Sequence, residues 1–383
     1  MLITRIALKN WRNFAHIDVN LRETVYLIGP NASGKSNFLD ALRFLRDVAT
    51  PRGGGLQKAI ADRHGMSKLR SLMARSKPEV EICIELAEDA DESNPLWTYT
   101  LAFTAETAGH RRNIITKETV RHRDHDKLLL DRPDKLDKTD KELLTQSALE
   151  NIHANSEFRD IAKFFSATTY LHLVPQLLRY PELSSLTSQD TDPFGQRFLE
   201  RLAKAKESTR DNYLKKMEDA LNLAVPQLKD LKFVRDEMGR PHLEAKYKHW
   251  RPGGARQQED QFSDGTLRLI GLLWCLLEGH SPLLLEEPEL SLNDAIVERI
   301  PVLIDKLQRK RMQQVFMTTH SYSLLGNPGI DGRNVLILEP GAEGTQVRGI
   351  SEDEAILLKS GLSISEVLLP KTRPESADEI TLS

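Results

Sequence analysis

The 383-residue sequence has only two cysteines, almost no net charge and no long apolar run. Cys83 and Cys275 are too few for a disulfide framework, so a reducing cytoplasm is the expected setting. Lys plus Arg number 53 against 56 Asp plus Glu, a formal charge of -3. That balance argues against coating nucleic acid by bulk charge, while leaving room for a local basic patch. The longest near-continuous apolar stretch, Leu269 to Leu277, falls far short of the roughly 20 residues a membrane helix needs. Positions 1–20 hold Arg5, Lys9, Arg12 and Asp18, with no apolar signal-peptide core. There is no internal repeat, no sustained heptad and no extensive low-complexity segment. These absences exclude a membrane-spanning, secreted, collagenous or wholly disordered chain. What remains is 39% hydrophobic and 28% charged, enough to bury a sizeable core across about two domains.

Apolar periodicity gives the order of elements. Residues 2–8 and 14–19 read as strands around a turn at 10–13, and 24–28 as a short buried strand. Gly29 to Ser33 breaks that run. Lys35 to Val48 is predicted as a helix, with Phe38, Leu39, Leu42 and Leu45 at helical spacing, closed by Pro51 and Gly53 to Gly55. Runs at 79–87, 96–105 and 113–122 suggest an antiparallel meander. Mixed acids and bases from Asp124 to Glu142 read as a solvated loop or arm tip. Residues 140–225 read mainly as helices around one strand at 167–174. Phe194, Phe198 and Leu202 share one packing face, and Tyr213, Met217 and Leu221 another. A hairpin is expected where 228–234 and 242–247 flank Met238 to Pro241. From 263 the pattern becomes α/β: helix 266–278, strand 282–286, helix 290–308, then strands 314–318 and 334–338. Residues 370–383 read as a loose tail.

Four motifs carry chemistry. Gly29-Pro30-Asn31-Ala32-Ser33-Gly34-Lys35-Ser36 fits G-x-x-x-x-G-K-[ST] between a predicted strand and a predicted helix. The glycines let backbone N–H groups curl around phosphate oxygens, and the helix start adds partial positive charge. Lys35 should reach the β- and γ-phosphates and Ser36 should ligate Mg²⁺. Leu283 to Glu289 is an apolar strand that delivers Glu286, to hold the metal, and Glu287, to activate the attacking water. Phe262 to Arg268 puts Ser263 and Gly265 at a helix start, an anion site or an ordinary helix cap. Phe316 to Ser321 places His320 after a strand, as a candidate γ-phosphate sensor.

The order of these motifs resembles that of the ABC-type ATPase heads of the SMC and RecF-like group. The chain is most similar to short bacterial ATPases related to OLD-family nucleases and anti-phage defence systems. Leu8 to Phe14 and Asn37 resemble the family as well. The resemblance covers 1–50 and 225–340 well and the intervening insertion loosely. It implies an α/β ABC-ATPase head, with a P-loop sheet core plus an antiparallel β subdomain, and an inserted mainly helical lobe. The implied boundaries are 1–105 and 226–369 for the head, 106–225 for the lobe and 370–383 for the tail. ATP and Mg²⁺ are the implied cofactors. The implied assembly is a homodimer that sandwiches two ATPs, with a higher oligomer left open. Ser263 and Gly265 would then contact the γ-phosphate held by Lys35 of the other protomer, and Ser291-Leu292-Asn293 would cross the interface. Arg12 and Asn13 are candidates for nucleotide contact, and Gln176 for the glutamine that senses metal and water.

Two departures are informative. Glu286 stands where many ABC proteins carry Asp. Asp264 stands where transporters carry Gly, which favours the SMC/RecF-like branch. OLD-type proteins often add a Toprim nuclease domain, but only 63 residues follow His320 (383 minus 320). A separate effector protein, nuclease or toxin, is therefore expected in trans. Two clusters are candidates for DNA or RNA contact: five Lys/Arg between Arg111 and Arg123, and Trp250-Arg251 with Lys246 and Lys248. The leading expectation is a cytoplasmic ATPase whose dimerisation controls that effector in anti-phage defence or DNA repair. The alternatives are an ATP-locked scaffold with incidental hydrolysis and a soluble transporter subunit.

Overall fold

The computed structural model describes residues 1–51, 53–74, 79–106, 112–179, 197–248, 254–279 and 281–373. The chain opens as an antiparallel hairpin of β1 (Leu2–Trp11) and β2 (Phe14–Asn20). β3 (Thr24–Ile28) is buried at every position, as a strand covered on both faces must be. The phosphate loop and the helix Lys35–Ala49 follow. The chain then returns to the first hairpin. β4 (Val80–Ala87) pairs with β1, and β5 (Trp97–Ala105), β6 (Asn113–His122) and β7 (Leu130–Arg132) extend the sheet in the order β2-β1-β4-β5-β6-β7. The meander predicted for 79–122 is present.

Two expectations change here. The boundary placed between 105 and 106 cuts through this sheet, because β5 and β6 pair from Trp97↔His122 to Ala105↔Asn113. The segment 124–142 is not a solvated tip throughout. Strand alternation turns Glu118 of β6 inward to full burial, and Arg132 of β7 follows it in. Arg132 lies 3.0 Å from Glu118 and 2.8 Å from Asp137. Tyr99 Oη (2.9 Å) and Ser147 Oγ (2.5 Å) also donate to Glu118. A buried charge needs such partners, so the charge pattern that reads as a water-facing arm is partly an internal knot.

β8 (Thr169–Leu171) is shorter than the strand expected at 167–174, because a helix opens at Pro175 and runs to Arg179. The helices Phe198–Lys204 and Glu207–Ala224 bury Phe198, Leu202, Met217 and Leu221, while Phe194 lies outside the described residues. β9 (Leu228–Arg235) and β10 (Pro241–Tyr247) form the predicted hairpin, and β11 (Ala255–Gln258) pairs on β10. The helix Asp264–Glu278 leads to β12 (Leu283–Glu286). The helix expected over 290–308 is divided. Ser291 has φ +62, Asn293 caps a short helix Asp294–Val297, and a second helix, Ile300–Arg311, starts with Pro301 in its first turn. Residues 374–383 of the expected tail lie outside the described residues.

β13 (Val315–Thr318), β14 (Val335–Glu339) and β15 (Gln346–Arg348) complete a second six-stranded sheet, ordered β15-β14-β3-β13-β12-β8. Its neighbours from β14 to β8 run parallel. β3, from the start of the chain, sits between β13 and β14 from its end. Alternation then divides the core. Val25, Leu27, Leu284 and Phe316 face one cluster with the Lys35–Ala49 helix and the antiparallel sheet. Tyr26, Ile28, Leu283, Leu285, Val315 and Met317 face the other, with the Asp264–Glu278 helix. Among the described residues no helix is long and apolar enough to cross a membrane.

Candidate functional site

Parallel pairing brings three strand ends to one edge. Glu286 lies opposite Thr318, and Thr318 opposite Leu27. The segments after β3, β12 and β13 therefore emerge together, which is where an open parallel sheet binds ligands.

After β3 the chain turns through Gly29 (φ +155) and Gly34 (φ +98). A Cβ on Gly29 would lie 2.6 Å from Leu338 O, and one on Gly34 would lie 2.1 Å from the Asn13 amide. Neither position accepts a side chain, so the backbone is free to curl. Lys35 begins the helix, and its Nζ donates to the carbonyls of Gly29 and Pro30 at 3.0 Å each. Burial brings its pKa down to about 8 against the pull of Glu287 and Glu286. Ser36 Oγ donates to Glu286 Oε1, and Tyr170 Oη of β8 donates to Glu286 Oε2. Tyr170 lies in the predicted strand, but nothing in the sequence marks it as a partner of Glu286.

Glu287 has φ +44, and its N–H donates to Thr318 O (3.2 Å) and Thr318 Oγ1 (3.1 Å). Its Oε1 is 3.7 Å from His320 Nε2. Burial, then the charge of Lys35, lowers the pKa of His320 below its ordinary value, with Glu287 opposing. The structure thus gathers Lys35, Ser36, Glu286, Glu287 and His320. The exposed Asn31 and the half-buried Pro30 border a cleft of roughly 410 Å³ that His320, Tyr322 and Arg373 also line.

Arg12 and Asn13 lie behind the loop and contact protein. Arg12 Nη2 is 2.6 Å from Asp40 Oδ2. Asn13 donates to Ser33 O and Thr345 Oγ1 at 2.8 Å each, and accepts from Asn37 at 2.7 Å. The three nonetheless line a second cleft of roughly 470 Å³ with Lys68 and Arg70, two cations that the motifs do not point to. Ala32 is exposed with φ +62, and Ser33 is fully buried.

Ser263 and Gly265 stand apart from that group. Ser263 Oγ caps its helix by accepting from Thr266 N at 3.2 Å. A Cβ on Gly265 would lie 2.6 Å from Ser291 O, so this helix start is pressed onto the 291–293 loop. Gln176 donates to Asp264 Oδ2 at 3.1 Å, and Arg179 pairs with Asp264 at 2.7 Å. The contact of Gln176 is thus with the Ser-Asp-Gly segment rather than with Ser36 or Glu286, because the Pro175–Arg179 helix carries it past the end of β8.

The basic clusters are altered by the fold. Arg111 and Trp250-Arg251 lie outside the described residues. At the two ends of β6, Arg112 is paired with Glu106 (3.0 Å) and Glu142, and Arg123 with Glu92. β6 itself carries Lys117 and Arg121, which remain exposed. On β10, Lys246 lies opposite both Lys229 of β9 and Arg256 of β11. Lys229 and Lys232 are three apart, yet a bulge at Asp230 (φ +54) puts both on the face of Glu244 and Lys246. Glu244 takes up Lys232 (3.4 Å) and Arg256.

A glycine cradle with a lysine at its mouth fits a polyphosphate. A serine hydroxyl beside a carboxylate is a hard-oxygen pair suited to Mg²⁺ carried on phosphate oxygens.

A family model described as "AAA domain, putative AbiEii toxin, Type IV TA system" matches residues 25–326, and one for the P-loop containing region of AAA domain matches residues 3–46. The chain is 42% identical over 61 residues to the DNA replication and repair protein RecF of Roseiflexus castenholzii, covering 16% of each protein. It is 41% identical over 68 residues to the endonuclease GajA of Bacillus cereus, covering 18% of this chain and 12% of that one. Each match thus spans less than a fifth of the relative. An SMC head bound to the C-winged helix domain of ScpA superposes with a TM-score of 0.55 at 16% identity, over 93% of this chain and 100% of that one. An SMC head from Pyrococcus furiosus, with an extended coiled coil and bound to the C-terminal domain of ScpA, gives 0.53 at 15%, over 94% and 98%. At that identity the likeness is one of fold.

Proposed function

The chain belongs to the AAA-domain family whose description names the AbiEii toxin of type IV toxin–antitoxin systems, and on that premise we propose a two-protomer ATP switch that controls a separately encoded effector. The chain is a P-loop ATPase with the fold of an SMC/RecF-like head. The hydrolytic part of this reading is carried by one observation. Ser36 of the phosphate loop donates to Glu286 across 250 residues of sequence, beside Lys35 and the Glu287–His320 pair.

Lys35 would leave the carbonyls of Gly29 and Pro30 for the β- and γ-phosphates. Ser36 and Glu286 would hold Mg²⁺, which supplies charge neutralisation at those phosphates. Glu287 would take the proton of the attacking water, and His320, kept neutral, would contact the γ-phosphate. We assign Arg12, Asn13 and Asn37 to bracing the loop, since their polar groups are engaged within the protein. Gln176 is assigned to the Ser-Asp-Gly segment. Ser263 and Gly265 would meet the nucleotide of a second protomer. The support is that Gly265 is pressed onto the 291–293 loop and that the Ser263 hydroxyl bonds Thr266 rather than Lys35 or Ser36. The effector would be a nuclease or toxin in defence or repair, as the names of the endonuclease relative and of the family suggest. DNA or RNA would contact the outward face of β9–β11.

The test is Glu287→Gln with ATP. The variant should bind ATP, lose turnover at least 100-fold, and run as a dimer in light scattering. Lys35→Ala should neither bind nor dimerise. Turnover that survives Glu287→Gln removes the assignment of Glu287 and favours the ATP-locked scaffold. A monomer at saturating ATP removes the sandwich. Pull-down of the native protein with ATP, read by mass spectrometry, should recover a nuclease or toxin subunit, and recovery of this chain alone refutes the effector.

A further inference from the structure

A β-ladder fixes its residues only as far as it runs. β12 and β13 stop pairing at Glu286↔Thr318, and both Glu287 and His320 lie past that last pair. The Glu287 N–H still reaches Thr318, but no ladder bond holds His320 against the loop that carries Glu287. Glu289 lies on the first loop. Its Oε1 accepts from Thr319 Oγ1 at 2.5 Å and from the His320 N–H at 3.4 Å. Thr319 Oγ1 in turn accepts from the Ser321 N–H at 3.0 Å. One carboxylate oxygen therefore gathers three consecutive residues of the switch segment, two directly and one through the threonine. Thr319 is itself fully buried, and its N–H is tied to Leu27 O at 3.2 Å, so the clamp is anchored on β3 as well.

We propose that Glu289 is a positioning residue for ATP hydrolysis, whose carboxyl clamps Thr319 and His320 against the loop that carries Glu287 and so sets the Glu287–His320 separation. The proposal rests on the ATPase reading of those two side chains. A purely packing role does not account for a carboxyl here. Glu289 is 9% exposed, and its Oε2 is buried without a hydrogen-bond partner. Burial also pushes its pKa up. An apolar residue would fill the space without that penalty, so the acceptor oxygen must bring something that packing does not. Arg268, on the helix that Ser263 caps, is a cation whose charge acts on both Glu287 and Glu289, and its Nε is likewise buried without a partner.

The test compares Glu289→Ala, Glu289→Gln and Thr319→Val in the full chain. Gln keeps the acceptor and Ala removes it. Val keeps the shape of Thr319 and removes its donor. The expected result is a kcat loss of 10-fold or more for Ala and for Val, with KM for ATP within about 3-fold, and recovery of most of the rate in Gln. In nucleotide-free protein labelled with ¹³C-histidine, the His320 ring signal, identified by its loss in His320→Asn, should shift in Ala and Val and not in Gln. Because that readout needs no turnover, it separates failure of the clamp from failure of the ATPase reading. An unshifted ring signal in both Ala and Val refutes the clamp. So does a Thr319→Val protein of normal thermal stability and normal kcat, even where Ala fails to fold.

Discussion

Glu287 Oε1 lies 3.7 Å from His320 Nε2, and the imidazole of that pair is kept short of protons by burial and by Lys35. Its folded pKa is below the ordinary 6.5. A step that needs neutral imidazole therefore survives as pH falls through 6.5 and is lost only below the folded value. The acid limb of kcat/KM, which reports the nucleotide-free protein, should accordingly lie below pH 6.5 and fall about tenfold per pH unit. An acid limb centred at or above 6.5 would contradict the neutral role of His320.

Lys35 titrates from the other side. With a pKa near 8 before nucleotide binds, it is partly deprotonated in mild base, and phosphate charge should raise that value on binding. ATP binding should take up a proton above pH 8, and affinity should drop about fivefold from pH 8 to pH 9, approaching tenfold per unit only beyond that. Calorimetry in buffers of different ionisation heat measures the uptake. Lys35→Arg should flatten the slope.

Tyr170 reaches Glu286 from an edge strand, with the Arg43 guanidinium stacked 4.0 Å from its ring centroid. Tyr170→Phe keeps the ring and removes the hydroxyl. The half-saturating Mg²⁺ concentration should rise several-fold, with a stability change of about 1 kcal/mol. A Mg²⁺ titration that overlays the parent would reduce Tyr170 to packing.

Glu118 is fully buried and shared by Arg132, Tyr99 and Ser147. Glu118→Ala removes one of the two carboxylates that hold Arg132 and takes the shared acceptor from the Tyr99 and Ser147 hydroxyls. It should cost about 3–5 kcal/mol in urea unfolding, the penalty of breaking a buried pair by removing one partner. A loss under 1 kcal/mol would mean that water reaches the knot.

Lys229, Lys246 and Arg256 stand side by side across β9–β11, and of the three Arg256 is the one paired with Glu244, which also takes up Lys232, so the face carries an excess of cations. Replacing all three by Gln should weaken duplex binding at least tenfold near 0.1 M salt. It should also reduce the slope of log K against log salt by about 2 to 3. The ATPase rate without DNA should stay unchanged. Parent-like binding and slope would place any nucleic acid elsewhere.

The reactive side chains were legible because each sits at the end of an apolar run, where periodicity and motif agree. Glu286, Glu287 and His320 follow that rule, Lys35 and Ser36 close the glycine loop that follows such a run, and the structure brings all five together. Gln176 entered through the resemblance alone; β8 ends at Leu171, and the helix that opens at Pro175 turns Gln176 toward Asp264, a contact that no local pattern marks. The segment 124–142 misread for a related reason: charge composition reports how polar a stretch is, not which charges turn inward.

The sequence by itself determined the local chemistry. It dictated the glycine turn after β3, the acids after β12 and the histidine after β13, because each depends on neighbours within a few residues. It also determined the two-faced sheet, through alternation. Tertiary structure decided everything that depends on register across the chain. The seating of β3 between β13 and β14 brings Ser36 to Glu286, the bulge at Asp230 aligns the cations of β9–β11, and Glu289 closes on Thr319 beyond the last ladder pair. Those pairings join residues far apart in sequence, and their geometry follows from strand order and packing, which no local pattern encodes.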